Sequence, residues 1–240
     1  MRERKFSISI PAGLWIGILV VLALVLLLPG CVSASRDAAP EPALPVAGLP
    51  GEEALRSVSI VFAADGGMGA AFHISPHLVV TAAHVIAGRD TATVVEIDGA
   101  QSAAVVLSRD VQLDVALLRL LSPAFHSHSA EIDCRAPRWG EPVLVVGHPF
   151  GLFWTGTRGH VASLGAGPMT GLRVVLDVPI NPGNSGGPVF SVGGRVLGVA
   201  VSHIAQRRDN QSGLGAMTPA SAFCDWLGRQ EEKEGSRHSN

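Results

Sequence analysis

The sequence predicts an all-β protein whose ordered part is built in two similar halves. Two observations carry this. From Val58 onward, short apolar runs recur with turn residues between them, stop through a polar stretch near 122–139, and then resume. The chain also holds 28 Gly and 16 Pro, a count that suits many short strands joined by tight turns better than long helices.

The first half contains "SVSIVFA", "GAAFHIS", "HLVVTAAHV", "TATVVEI", "AAVVLS" and "VALLRL". The second contains "PVLVVG", "GHVASLG", "LRVVLDV", "GPVFSV" and "RVLGVAV". Strands at this spacing belong to small barrels or sandwiches. The halves span about 58–133 and 139–227. One short helix is expected at the end: Thr218 and Pro219 open it, "ASAFCDWLGR" forms it, and Phe223, Trp226 and Leu227 face inward. Residues 228–240, which include "QEEKEGSRHSN", are expected to trail off as a disordered, solvated tail.

Ahead of the strands lie two other segments. Arg2, Arg4 and Lys5 precede an uncharged apolar run over 12–28, the pattern of an export signal or a membrane anchor at 1–31. Three fates are open: lipidation of Cys31, since Leu28-Pro29-Gly30-Cys31 is similar to a bacterial lipobox; cleavage after Ala34; or retention as an anchor. Each places the rest of the chain outside the cytoplasm, facing the periplasm or cell exterior, and lipidation or retention would anchor it to the membrane. Residues 32–57 are rich in Pro, Ala and Gly without periodicity and read as a tether.

Composition removes several classes of function. Apolar residues make up 47% of the chain and charged residues 16%, so a core can form and whole-chain disorder is excluded. A formal net charge of -2 with no long basic run argues against nucleic acid as a partner. The cysteine spacing fits no zinc site, and His126 and His128 in "HSHS" read as solvated, so no metal or other cofactor is expected.

Chemistry concentrates in "INPGNSGGPVF". Ser185 stands among Gly183, Gly186 and Gly187, whose backbones reach conformations that other residues resist. Such a loop can aim several N–H groups into one small volume, as an oxyanion hole requires; the Gly183–Asn184–Ser185 stretch is the candidate, with Gly183 and Ser185 as donors. By itself the loop is equally ordinary surface-turn chemistry. A serine nucleophile needs a base. Of nine histidines, His84 differs from the rest: it follows the apolar run "HLVVTAA", beside the small Ala82 and Ala83. A lone histidine there is more often structural. Asp114 in "VQLDVALLRL" is a carboxylate within an apolar run, costly unless paired, and an imidazole N–H is an economical partner; a turn aspartate is the plain alternative.

The order of these three residues, His then Asp then Ser, is that of the chymotrypsin class. The motifs "TAAHV", "DVALL" and "INPGNSGGPVF" resemble the trypsin-like serine proteases. Within them, "GHPFGLFWTGTRGHVASLG" resembles the HtrA (Deg) segment that runs Gly-Asn-Pro-Phe-Gly into Gly-x-Val-Ser, with His148 in place of the Asn. The resemblance covers 58–227. It implies two packed six-stranded β-barrels, with His84 and Asp114 from the first and Ser185 from the second. It implies a serine endopeptidase acting on exported or misfolded proteins through an acyl-enzyme.

By the same resemblance Ile180, Ala200, Val201, Ser202 and His203 line the substrate pocket. None is acidic, which implies cleavage after small or medium apolar residues. Asn184 is uncharged where trypsin carries Asp, so no ion-paired zymogen switch is expected. The chain ends soon after the terminal helix, so no PDZ domain is expected, and the oligomeric state is left open. Some trypsin-like enzymes join the regions of Cys134 and Cys224 by a disulfide; two buried free thiols are the other state. The competing reading of the whole chain is a catalytically silent, membrane-tethered binding protein on the same fold.

Overall fold

The computed structural model describes residues 51–124, 127–165, 172–201 and 213–238. The 12–28 run, Cys31, Ala34 and His126 lie outside them. Among the described residues, no helix is long and apolar enough to cross a membrane.

A short helix α1 (Glu52–Arg56) stands where the sequence predicts tether; Arg56 reaches back to Glu52 at 2.9 Å, an i,i+4 pair, and Leu55 packs on the core. The first half then forms β1 (Val58–Ala63), β2 (Met68–Ser75), β3 (Leu78–Thr81), the single-turn helix α2 (Ala83–Ile86), β4 (Thr91–Val95), β5 (Gln101–Asp110) and β6 (Val115–Leu120). The second forms β7 (Pro142–Gly147), β8 (Thr155–Ser163), β9 (Val174–Leu176), β10 (Pro188–Ser191), β11 (Val196–Val201) and β12 (Gly215–Pro219). A terminal helix α3 (Ala220–His238) closes the chain.

Each half is a closed, six-stranded antiparallel barrel. The first closes through β1 and β4, where Ile60 faces Val95; the second through β7 and β10, where Val145 faces Val189. Closure leaves no sheet edge to pair with other chains.

The continuous apolar runs follow from burial on both strand faces. In β7, Val143 and Val145 point into the second barrel with Leu176, Leu197 and Met217. Leu144 and Val146 point the opposite way, into a core shared with first-barrel residues and with Phe223 and Trp226 of α3. Successive side chains of a strand alternate faces, so a strand between two apolar compartments must be apolar throughout.

The terminal helix corrects the expectation of a short helix with a disordered tail beyond 228. It continues through "QEEKEGSRH" because nothing there breaks it and its inner face has partners. Glu234 is buried and reaches Arg119 of β6 at 3.8 Å. Near its start, Cys224 is bonded to Cys134 of the inter-barrel segment, with Cα atoms 5.9 Å apart.

Candidate active site

His84 and Asp114 come together at the mouth of the first barrel. The apolar strand β3 ends at Thr81, the chain stays extended through Ala82, and α2 turns His84 outward while burying Val85 and Ile86. Asp114 lies between β5 and β6 with φ +57, in the left-handed region that side-chain-bearing residues seldom occupy. That conformation presents its carboxylate to α2. Asp114 Oδ1 accepts the His84 backbone N–H at 2.9 Å, and Oδ2 accepts Nδ1–H at 2.8 Å. Both oxygens therefore hold one residue, setting ring orientation and tautomer together. With Nδ1 as donor, the neutral imidazole leaves Nε2 as its basic nitrogen. Burial opposes the charge on Asp114, but the His84 hydrogen bonds and charge, helped by Arg173, outweigh it and hold the carboxyl below the usual carboxylate range.

Ser185 arrives from the second barrel on a tightly tied loop. Asn184 N–H donates to Asn181 O at 2.9 Å, and Gly186 N–H to Ala200 O at 2.8 Å. Ser185 O accepts Ala70 N–H of β2 at 2.8 Å, pinning the loop to the first barrel. A Cβ on Gly69 would lie 2.8 Å from Ser185 O and 2.7 Å from the Val85 methyls, so only glycine lets the serine loop approach the helix that carries His84. This wedge was invisible in the sequence, where Gly69 was one glycine among many.

Two carbonyls of the loop are taken up by the segment that follows β7. Gly183 O accepts His148 N–H at 3.1 Å and Pro182 O accepts Phe150 N–H at 2.9 Å. Gly183 itself has φ +100, and a Cβ there would stand 2.1 Å from His148 O. Asn184 N–H is engaged with Asn181, whereas the N–H groups of its neighbours Gly183 and Ser185 meet no backbone acceptor among the described residues. Donors of this kind can receive an oxyanion.

Of the other residues singled out in the sequence, Ile180 and Ala200 are buried in the second-barrel core, and Val201, the next residue of β11 after Ala200, is buried in the core shared with the first barrel. Ser202 and His203 lie outside the described residues. His148 is fully buried: its Nε2 donates to Ser59 O of β1 at 3.1 Å, and its Nδ1 accepts Trp154 N–H at 3.0 Å.

A model of the trypsin-like peptidase domain matches residues 69–199. The chain belongs to that family. Trypsin-like relatives include a probable periplasmic serine endoprotease, DegP-like, of Brucella suis, 38% identical over 137 residues, covering 55% of this chain and 26% of that one. The periplasmic pH-dependent serine endoprotease DegQ of Escherichia coli is 31% identical over 159 residues, covering 65% of this chain and 35% of its own. The chain thus spans about a quarter to a third of the length of these relatives. Among solved structures, the serine endoprotease from Yersinia pestis superposes with TM-score 0.62 at 24% identity, over 75% of this chain and 65% of that one. The HtrA-type protease AlgW with tripeptide superposes with TM-score 0.66 at 23% identity, over 74% and 60%. These likenesses agree with the two-barrel, chymotrypsin-like fold described above.

Proposed function

We propose that this trypsin-like chain is a serine endopeptidase in which Ser185 is the nucleophile, His84 the base and Asp114 its orienting acid. The observation that carries the reading is the double grip of Asp114 on His84, through the backbone N–H and Nδ1–H at 2.9 and 2.8 Å. A structural aspartate could satisfy one of these groups; holding both fixes the ring so that Nε2 is offered to a proton donor.

In this mechanism Ser185 Oγ attacks the scissile carbonyl carbon while Nε2 of His84 takes the hydroxyl proton. The negative charge that develops on the carbonyl oxygen is received by the N–H groups of Gly183 and Ser185. His84 then passes its proton to the leaving amine, and the C–N bond breaks to give an acyl-enzyme. Water, deprotonated by the same imidazole, attacks the ester and frees Ser185. Asp114 stays ionised throughout and stabilises the imidazolium.

The substrates are exported or misfolded polypeptides, cut after small or medium apolar residues. The periplasmic relatives and the basic-then-apolar N-terminus support an exported protein tethered at a bacterial membrane.

A fluorophosphonate probe tests the reading directly. The wild type is expected to label, Ser185→Ala not at all, and His84→Ala at least a hundredfold more slowly. Equal labelling of all three overturns it.

A further inference from the structure

Arg173 stands out among the residues near His84 because it brings a second positive charge to Asp114. It lies one residue before β9, and strand register decides its place: Val175 faces Ala216 and Val174 faces Met217, so the next step sets Arg173 opposite Thr218. Its Nη1 donates to Thr218 Oγ1 at 2.8 Å and stands 3.7 Å from Asp114 Oδ2, the same oxygen that accepts from His84 Nδ1. Among the described residues, Asp114 is the acid within ion-pair reach of this guanidinium, whose side chain is 16% exposed.

The contact also reaches the backbone. Thr218 Oγ1 donates to Leu113 O at 2.6 Å. A hydroxyl has a single proton, so a threonine that receives from Arg173 and donates to Leu113 has a fixed orientation. The carbonyl held in this way immediately precedes Asp114, whose φ of +57 is unfavourable for a residue with a side chain and needs holding from outside.

The described charges beside His84 are few. The cavity beside it, about 480 Å³, is lined by Asp114, Arg173 and Arg109 among apolar residues such as Val111. Arg109 is turned away to Asp90 at 2.9 Å and to Arg89 O, and Arg89 is paired with Asp65. Among the described residues lining this cavity, Asp114 and Arg173 are left as the charged pair beside the imidazole.

We propose that Arg173 is a positioning residue of the site, which secures Asp114 and opposes the positive charge that His84 acquires, so that the site works at lower pH than Asp114 and His84 alone would allow. The proposal rests on the serine-peptidase reading. Two effects follow from one side chain. The strut through Thr218 supports the rate at every pH. The charge acts on the acid side alone, because there protonation of His84 competes with catalysis.

The test is the rate of fluorophosphonate labelling of the whole chain from pH 4.5 to 9, with thermal melts alongside. For Arg173→Met, the midpoint of the acid-side fall is expected to rise by about half a pH unit, as removal of one charge near the ring implies. The plateau rate is expected to drop less than tenfold. Arg173→Lys is expected to restore the midpoint. If Arg173→Met melts below the assay temperature, Arg173→Gln carries the same expectation, since it keeps a donor for Thr218 without the charge. A labelled wild type and an unmoved midpoint in the neutral variants overturn the proposal alone. A wild type that labels no better than Ser185→Ala overturns the peptidase reading and this proposal with it.

Discussion

His148 bonds the second barrel to the first: from the end of β7 its Nε2 donates to Ser59 O in β1 at 3.1 Å, while Trp154 N–H occupies Nδ1 at 3.0 Å. Both ring nitrogens are used, one as donor and one as acceptor, so the neutral imidazole satisfies the site and an imidazolium does not. Burial pushes the group down from its ordinary 6.5 to about 4, with the bond to Ser59 pulling weakly the other way.

A pH dependence of stability follows. Above pH 6.5 the imidazole is neutral in both folded and unfolded chains. Between 6.5 and about 4 the unfolded chain binds a proton that the folded chain refuses, so stability falls as pH falls through that window. The loss amounts to about 3 kcal/mol. Urea denaturation at pH 7.5 and 4.5 should show it, and His148→Gln should be less stable at pH 7.5 and flatter between the two. Equal slopes in both proteins would rule out His148 as the source.

Gly183→Ala tests the loop geometry. The added Cβ would meet His148 O at 2.1 Å at a φ of +100, so the Gly183 peptide must turn and its N–H must leave the pocket. Labelling by fluorophosphonate should fall by about a hundredfold or more, the usual cost of one oxyanion donor. The far-ultraviolet circular dichroism should be unchanged. Wild-type labelling would remove Gly183 from the proposed oxyanion hole.

A second buried polar cluster predicts an acid-sensitive contribution to stability. His73 Nε2 lies 2.6 Å from Ser59 Oγ and 2.9 Å from Glu96 Oε2, and Ser127 of the inter-barrel segment donates to the same carboxylate oxygen. Burial opposes the charge on Glu96, but the bonds from His73, Ser127 and Ser59 outweigh it and hold the carboxyl below its usual range. A depressed folded value means stability that is present above the ordinary carboxylate range and lost as pH falls through the folded value. Glu96→Gln should therefore cost about 2 kcal/mol at pH 7, with the gap from wild type narrowing toward pH 3. A gap independent of pH would assign the cost to packing instead.

The Cys134–Cys224 disulfide closes a loop of 90 residues that includes all six strands of the second barrel. Restricting a loop of that length in the unfolded chain stabilises the fold by about 4–5 kcal/mol. Cys134→Ser with Cys224→Ser should lower the urea midpoint accordingly, and reductant should lower the wild type to match. No response to reductant would show that the bridge contributes little.

The sequence by itself determined an all-β plan in two similar halves, because strands carry their own evidence; that each half is a six-stranded barrel came from the resemblance to the trypsin-like proteases. Runs such as "PVLVVG" are apolar on both faces, and Gly- and Pro-rich turns separate them at regular spacing. It also singled out His84, Asp114 and Ser185: each has an ordinary alternative when taken singly, and it was their order, the glycine loop around Ser185 and the resemblance of their motifs to the trypsin-like proteases that joined them. The extent of α3 was not legible: "QEEKEGSRH" is polar enough to read as tail, and the buried Glu234–Arg119 contact that holds its inner face involves a strand more than a hundred residues away.

Only the tertiary structure decided how these residues meet. The left-handed backbone of Asp114, the glycine wedge at Gly69 and the His148 strut all concern close approach between segments distant in sequence. Arg173 is the clearest case. In "GLRVVLDV" it is an arginine at the start of a strand, and it reaches Asp114 only because the β9–β12 register sets it across from Thr218. Local pattern specifies which elements form; register and barrel closure, which depend on every strand at once, specify which side chains share a site.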